Sequence, residues 1–124
     1  EAAKAWSVWE GSTVKLIQNK ALIEHSSDSK FAEAFSRIEC HYFTNNGWFD
    51  TENYLIENVD KIRHIPAVIV HGRYDVVCPV ENAWELHKAW PESDLHIIPD
   101  SGHAMSEEGI KDKLIEYTDK FSKL

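Results

Sequence analysis

VIVHGRYDVVCP, residues 68–79, is the stretch on which the reading of this chain turns. Three apolar residues run directly into His71-Gly72-Arg73-Tyr74-Asp75. A continuously apolar run of this kind, preceded by Pro66, reads as a buried strand over "AVIVH". The glycine turn and the acid then fall at its carboxyl end, where open α/β sheets gather their sites. A solvated turn would give the same letters, since Asp near Gly is common in turns. Working outward, Pro79 suits the first turn of a helix whose Ala83, Leu86, His87 and Trp90 form an apolar face. "DLHIIP", residues 94–99, reads as a second short strand. "DSGH" makes a loop, and Ser106 is placed to cap a last helix with Ile110, Leu114, Tyr117 and Phe121 facing inward. The order strand, helix, strand, helix is a βαβα unit of an α/β fold with parallel strands.

The other half of the chain is helical and aromatic. Between residues 2 and 17, Ala2, Ala5, Trp6, Trp9, Leu16 and Ile17 mark one helical face, with Gly11 as a weak point. "EHSSDSK", 24–30, reads as a loop in which Asp28 or Ser29 caps the next helix. Phe31, Ala34, Phe35, Ile38 and Tyr42 then recur at helical spacing. "TNNGWF" breaks the pattern and marks a boundary near residues 44–50, followed by a short helix at about 51–62. There is no internal repeat and no low-complexity segment.

The bulk numbers narrow the function classes. A length of 124 residues is one ordinary domain, and 43% hydrophobic with 11% aromatic content reads as globular. Thirteen basic against twenty-one acidic residues, a net charge of −8, argues against nucleic acid or an anionic membrane as partner. No apolar run approaches the ~20 residues of a membrane span. Cys40 and Cys78 lie far apart and form no metal or redox motif, so both read as free thiols of a reducing, cytoplasmic compartment. None of the seven histidines has metal-ligand spacing, and no cofactor or metal is expected. The opening "EAAKAWSVWE" lacks Met and is already helical, as if cut from something longer.

Two loops therefore stand at the carboxyl ends of two neighbouring parallel strands. One carries Asp75; the other carries His103, twenty-eight residues later. An acid bonded to an imidazole fixes its tautomer and stabilises its protonated form. The order acid-then-His is the back half of a Ser–His–Asp relay in α/β-hydrolases, where the nucleophile comes first. An uncoupled turn Asp and loop His remain the alternative at this point. No GxSxG nucleophile elbow occurs in these residues. "EGST", 10–13, lacks both the second glycine and a preceding strand.

WSVWEG (6–11), AFSRIECHYF (34–43), IPAVIVHGRYDVVCP (65–79), NAWELHKAWP (82–91) and SGHAMSE (101–107) together resemble the carboxyl-terminal part of the proline iminopeptidases, or prolyl aminopeptidases. These are α/β-hydrolase serine peptidases that remove amino-terminal proline from peptides. The resemblance covers nearly the whole chain. It implies that Asp75 and His103 are the relay acid and base. It implies that residues 1–46 belong to a helical cap and 47–124 to the carboxyl-terminal part of the hydrolase domain. It further implies that Glu10 and Glu39 bind the substrate's amino terminus and that Cys78 lies beside the pocket for the proline ring. A prolyl ammonium carries two N–H donors and a positive charge, which two partly buried carboxylates match. Surface acids on amphipathic helices are the alternative for Glu10 and Glu39. Cys40 stands where Asn is expected after RIE, and Ala104 where Ser often follows the His.

The expected partner is thus a peptide with an amino-terminal proline, with no nucleic acid and no membrane. Another capped hydrolase such as an esterase, or an inert structural fragment, would also fit the Asp–His pair. His41, His64, His71, His87 and His96 read as core or surface residues, and the five tryptophans as packing. A strand pair alone is marginal. The apolar strand at 68–70 and the face of Trp6 and Trp9 are therefore expected to be covered by a second copy or by the amino-terminal part of a longer protein.

Overall fold

A computed structural model describes residues 1–123. The chain divides into two compact units, Glu1–Thr13 with Ile17–Tyr54, and Val14–Leu16 with the residues from Leu55 onward.

The first unit is built from three helices, α1 (Ala2–Thr13), α2 (Lys20–Ser26) and α3 (Ser29–Thr44). Asn19 and Asp28 cap α2 and α3 by accepting from the Leu22 and Phe31 amides at 3.0 and 2.8 Å. Such caps satisfy amides that the first turn leaves without partners. Residues 24–26, expected as loop, form the last turn of α2. At seven residues this helix is too short to show a clear period.

Small side chains make the helix contacts. Ser7 and Gly11 of α1, Ser26 of α2, and Ala32 and Ser36 of α3 are the buried residues. Ser36 Oγ donates to the Ala3 carbonyl at 2.9 Å, tying α3 to α1. Most residues of the expected apolar faces lie outside these contacts, because close backbone approach leaves room only for small residues between the helices; Phe31 and Phe35 are half-buried. Trp9, Ile38 and Tyr42 are more than half exposed, and Ala2 and Ala5 are exposed as well. Trp6 stacks at a tilt on Trp9, with ring centroids 5.7 Å apart, and meets Phe43 edge-on.

After α3 comes a 3-10 turn, Asn46–Trp48, in which Asn46, Gly47 and Trp48 all have φ between 50° and 60°. Glycine is at ease there, but a tryptophan is not. The Trp48 ring lies edge-on to His41 and Tyr42, both 5.0 Å away, and these contacts hold it.

In the second unit, α4 (Tyr54–Glu57) begins at the unit boundary and leads through a 3-10 turn (Val59–Lys61) to β1 (Val68–Gly72). These two short pieces replace the single helix expected at 51–62. The chain then runs through α5 (Val80–Ala89), β2 (Asp94–Ile98) and α6 (Glu108–Phe121). The strands pair in parallel, from Val68 opposite Asp94 to Gly72 opposite Ile98. Helix α5 packs on both strands and α6 on β1. The buried apolar core is Val59, Ala83, Trp90, Ile98, Ile110 and Tyr117. Residues 68–70 are half-buried in the single chain.

Polar contacts fix the helices to the strands. Tyr117 of α6 donates to Asp94 at 2.9 Å and accepts from His96 Nε2 at 2.8 Å. Burial and the Asp94 bond hold this phenol above its usual pKa. The Arg63 guanidinium grips the Glu92 carboxylate through Nε and a terminal nitrogen, joining the segment before β1 to the turn before β2. That contact holds the Glu92 carboxyl below its usual range.

Gly11 is a contact point between α1 and α2. A Cβ added there would fall 2.9 Å from Ser26 Cβ and closer still to Ser26 Oγ. Alanine would gain about 1 kcal/mol of helix propensity. Overpacking at a buried crossing costs about 1–3 kcal/mol. We expect Gly11→Ala to be net destabilising, read as a lower denaturation midpoint; a raised midpoint would show that the crossing is loose.

Candidate active site

The site grows from the ends of β1 and β2. Beyond the strands the two loops stay zipped together: Arg73 N donates to Ile98 O at 2.9 Å and Tyr74 N to Ser101 O at 3.0 Å. Gly72 makes this possible. A Cβ on it would lie 2.7 Å from Ser101 O and 2.8 Å from the Gly102 carbonyl carbon, and would collide with Gly102 O. Only a residue without a side chain lets the two backbones meet here.

Asp75 sits at the end of this zipper with its side chain 4% exposed. A buried carboxylate requires hydrogen bonds. Its Oδ1 accepts from the amides of Val77 and Cys78 at 2.9 and 2.8 Å. Its Oδ2 faces His103 Nδ1 at 2.9 Å. A carboxylate only accepts, so Nδ1 carries the proton, and Nε2 of His103 is the ring nitrogen left to act as base. The His103 ring is 37% exposed, open enough to meet a reacting group.

The histidine loop is held by groups that the sequence did not suggest. His103 N and Ala104 N both donate to Val14 O, at 3.1 and 2.7 Å. Glu107 spans two backbones: Oε1 accepts from Gly102 N at 2.8 Å and Oε2 from Leu16 N at 3.2 Å. Glu107, not Ser106, precedes α6 as its cap residue, and its side chain turns back into the loop instead of capping the helix. No motif marks a glutamate that bonds only backbone amides.

Asp75, His103 and Cys78 are thus brought together in the second unit. Cys78 lies on the Asp75 loop and is exposed. Glu10 and Glu39 stand half-buried on α1 and α3 of the first unit. Glu39 Oε2 accepts from the Trp6 indole N–H at 2.6 Å, across the α1–α3 pair. A further imidazole, His71, lies beside Asp75, its Nε2 at 3.4 Å from Oδ2. Its place at the end of β1 in "VIVHG" was a usable signal, since it shares the strand end with the acid. Among the described residues no helix is long and apolar enough to cross a membrane, and no three His, Cys, Asp or Glu side chains group as metal ligands.

The chain is 59% identical over 120 residues to a probable proline iminopeptidase of Leptolyngbya boryana. It is 50% identical over 123 residues to a proline iminopeptidase of Arabidopsis thaliana, and 39% identical over 115 to one of Neisseria gonorrhoeae. These matches take in 97%, 99% and 93% of the chain but 37%, 32% and 36% of the relatives. The chain therefore spans about a third of their length. No protein-family model matches it.

Gly72 supplies the prediction for this site. Gly72→Ala places a methyl group against the backbone of residues 101–102, which cannot swing aside as a side chain would. A loss of about 1–3 kcal/mol is expected from the forced shift, together with a displaced His103 loop. Denaturation and the chemical shift of the His103 Nδ1 proton read the two effects separately. An unchanged proton resonance would mean that the zipper does not set the Asp75–His103 geometry.

Proposed function

Since the chain is homologous to proline iminopeptidases over nearly its whole length, we propose that it forms the carboxyl-terminal part of an α/β-hydrolase serine peptidase releasing proline from peptide amino termini. The observation that carries this reading is the 2.9 Å contact between His103 Nδ1 and a buried Asp75 at the ends of two parallel strands. The relatives' names support a peptide substrate.

The mechanism follows from the proton positions. A serine supplied by another part of the protein attacks the carbonyl carbon of the amino-terminal proline itself. His103 Nε2 takes the serine proton as the C–O bond forms. The imidazolium is stabilised by Asp75 and gives the proton to the leaving amine as the C–N bond breaks. A water then repeats the cycle on the acyl-enzyme, regenerating the serine and freeing proline. No metal or cofactor enters this sequence.

Glu10 and Glu39 are assigned the substrate amine. A carboxylate has about four acceptor positions. The Trp6 N–H occupies one on Glu39, fixing its rotamer and leaving others for the ammonium. Cys78 is assigned to the proline-ring pocket, and the first unit to the cap. Under this reading the protein works in the cytoplasm.

Asp75→Asn in the full-length protein should lower turnover of a proline arylamide by roughly 10⁴, as loss of a relay acid does. Activity kept within tenfold would remove Asp75 from the relay. The 124-residue chain alone should release no product. Turnover by the pure chain would place a nucleophile within it.

Glu10→Gln and Glu39→Gln test the amine site. A charge-assisted hydrogen bond contributes about 1.5–3 kcal/mol, so about a ten- to hundredfold loss is expected on free amino-terminal proline. Amino-blocked substrates should lose little. Equal losses on both would make these acids structural.

A further inference from the structure

Asp75 lies between two imidazoles, and only one has a role so far. His71 is the fourth residue of β1, and its ring reaches forward over the loop that begins at Gly72. Its side chain is 16% exposed. Its Nε2 lies 2.9 Å from the Cys78 carbonyl oxygen. A carbonyl oxygen only accepts, so His71 Nε2 carries a proton and donates it. The same nitrogen is 3.4 Å from Asp75 Oδ2, the oxygen that faces His103. That distance is long for a hydrogen bond but places the N–H dipole against the carboxylate.

Both backbone groups of Cys78 are thereby engaged. Its N–H donates to Asp75 Oδ1 and its C=O accepts from His71. The loop 75–78 is closed at two points, and both closures set where the Asp75 carboxylate points. We propose that His71 is a positioning residue of the relay: its Nε2–H clamps the Cys78 carbonyl and so holds Asp75 on line with His103. The same clamp orients Cys78, which joins the relay acid to the residue assigned to the proline-ring pocket. This inference rests on the relay reading given above. It differs from simple core packing in what it demands at position 71, a hydrogen-bond donor at the place of Nε2 rather than apolar bulk.

The test uses the full-length enzyme and a proline arylamide. His71→Gln puts an amide N–H near the position of Nε2, whereas His71→Leu keeps bulk without a donor. His71→Asn has a donor but is too short to reach Cys78 O. The expected order of kcat is wild type, then Gln within about fivefold, then Leu and Asn lower by about ten- to hundredfold, with KM changed little. The His103 Nδ1 proton resonance should be kept in the Gln variant and shifted or broadened in the other two. If the Leu variant does not fold, the comparison of Gln with Asn decides. Leu or Asn equal to or better than Gln overturns the proposal, as does wild-type kcat in any variant without the donor. Asp75→Asn, run in parallel, separates the two readings. If it stays active the relay itself falls; if it is inactive while His71→Leu is unimpaired, only the clamp falls.

Discussion

A charged carboxylate taken out of water must be met by donors, and Asp75 is met from three directions. Two amides of its own loop, the ring of His103 and the nearby ring of His71 surround it. Much of the second unit follows from that requirement. The loop 73–78 has to curl back so that its amides reach Oδ1. The loop 101–104 has to come close enough for an imidazole to reach Oδ2. Parallel strands of matched register bring both loops out at the same edge. Without the carboxylate, the amides of Val77 and Cys78 would lose their acceptor and the two loops would have less reason to meet.

The backbone around that carboxylate is arranged with few side chains. Gly72 lets one loop touch the other, and Gly102 lets the histidine loop approach Lys15 and Leu16. The Glu107 carboxylate and the Val14 carbonyl then take up the amides that this crowding leaves over. The imidazole of His103 is consequently carried by a loop whose backbone is hydrogen-bonded at residues 102, 103 and 104. Under the proposed relay, a base that keeps one nitrogen on the acid and presents the other to a reacting atom gains from such a mount.

The second unit was largely legible in the sequence, and the first much less so. "AVIV" and "LHII" read as strands with few alternatives, although in the single chain they are mostly half-buried, and the glycine and acid after the first point to its carboxyl end. The inward faces of α5 and α6 also follow their helical period, with Ala83, Trp90, Ile110 and Tyr117 buried. Hydrophobicity misleads in the first unit, because its helices meet through Ser7, Gly11, Ser26, Ala32 and Ser36. A period of large apolar residues identifies a helix but not which face its neighbour takes. Of the candidate site, Asp75 and His103 could be placed at neighbouring strand ends from the pattern, but their contact could not be told from a turn acid and a separate loop histidine. His71 was signalled only by its place at the end of β1, and Glu107 not at all, since its partners are backbone amides, which every residue owns. Glu10, Glu39 and Cys78 stood on family likeness, not on any pattern in the residues.

The division of labour in the helical unit bears on how such a protein can change over time. Helix contacts there are made by serine, alanine and glycine, while Trp9, Ile38, Tyr42 and Phe43 stand more than half exposed. Exposed side chains can be exchanged with small effects on stability, usually within about 0.5 kcal/mol. An exposed position such as Ile38 can therefore change without touching the helix contacts, whereas Tyr42 also holds Trp48. The serine, alanine and glycine positions, which look like the least informative letters in these helices, are the ones with little freedom to vary.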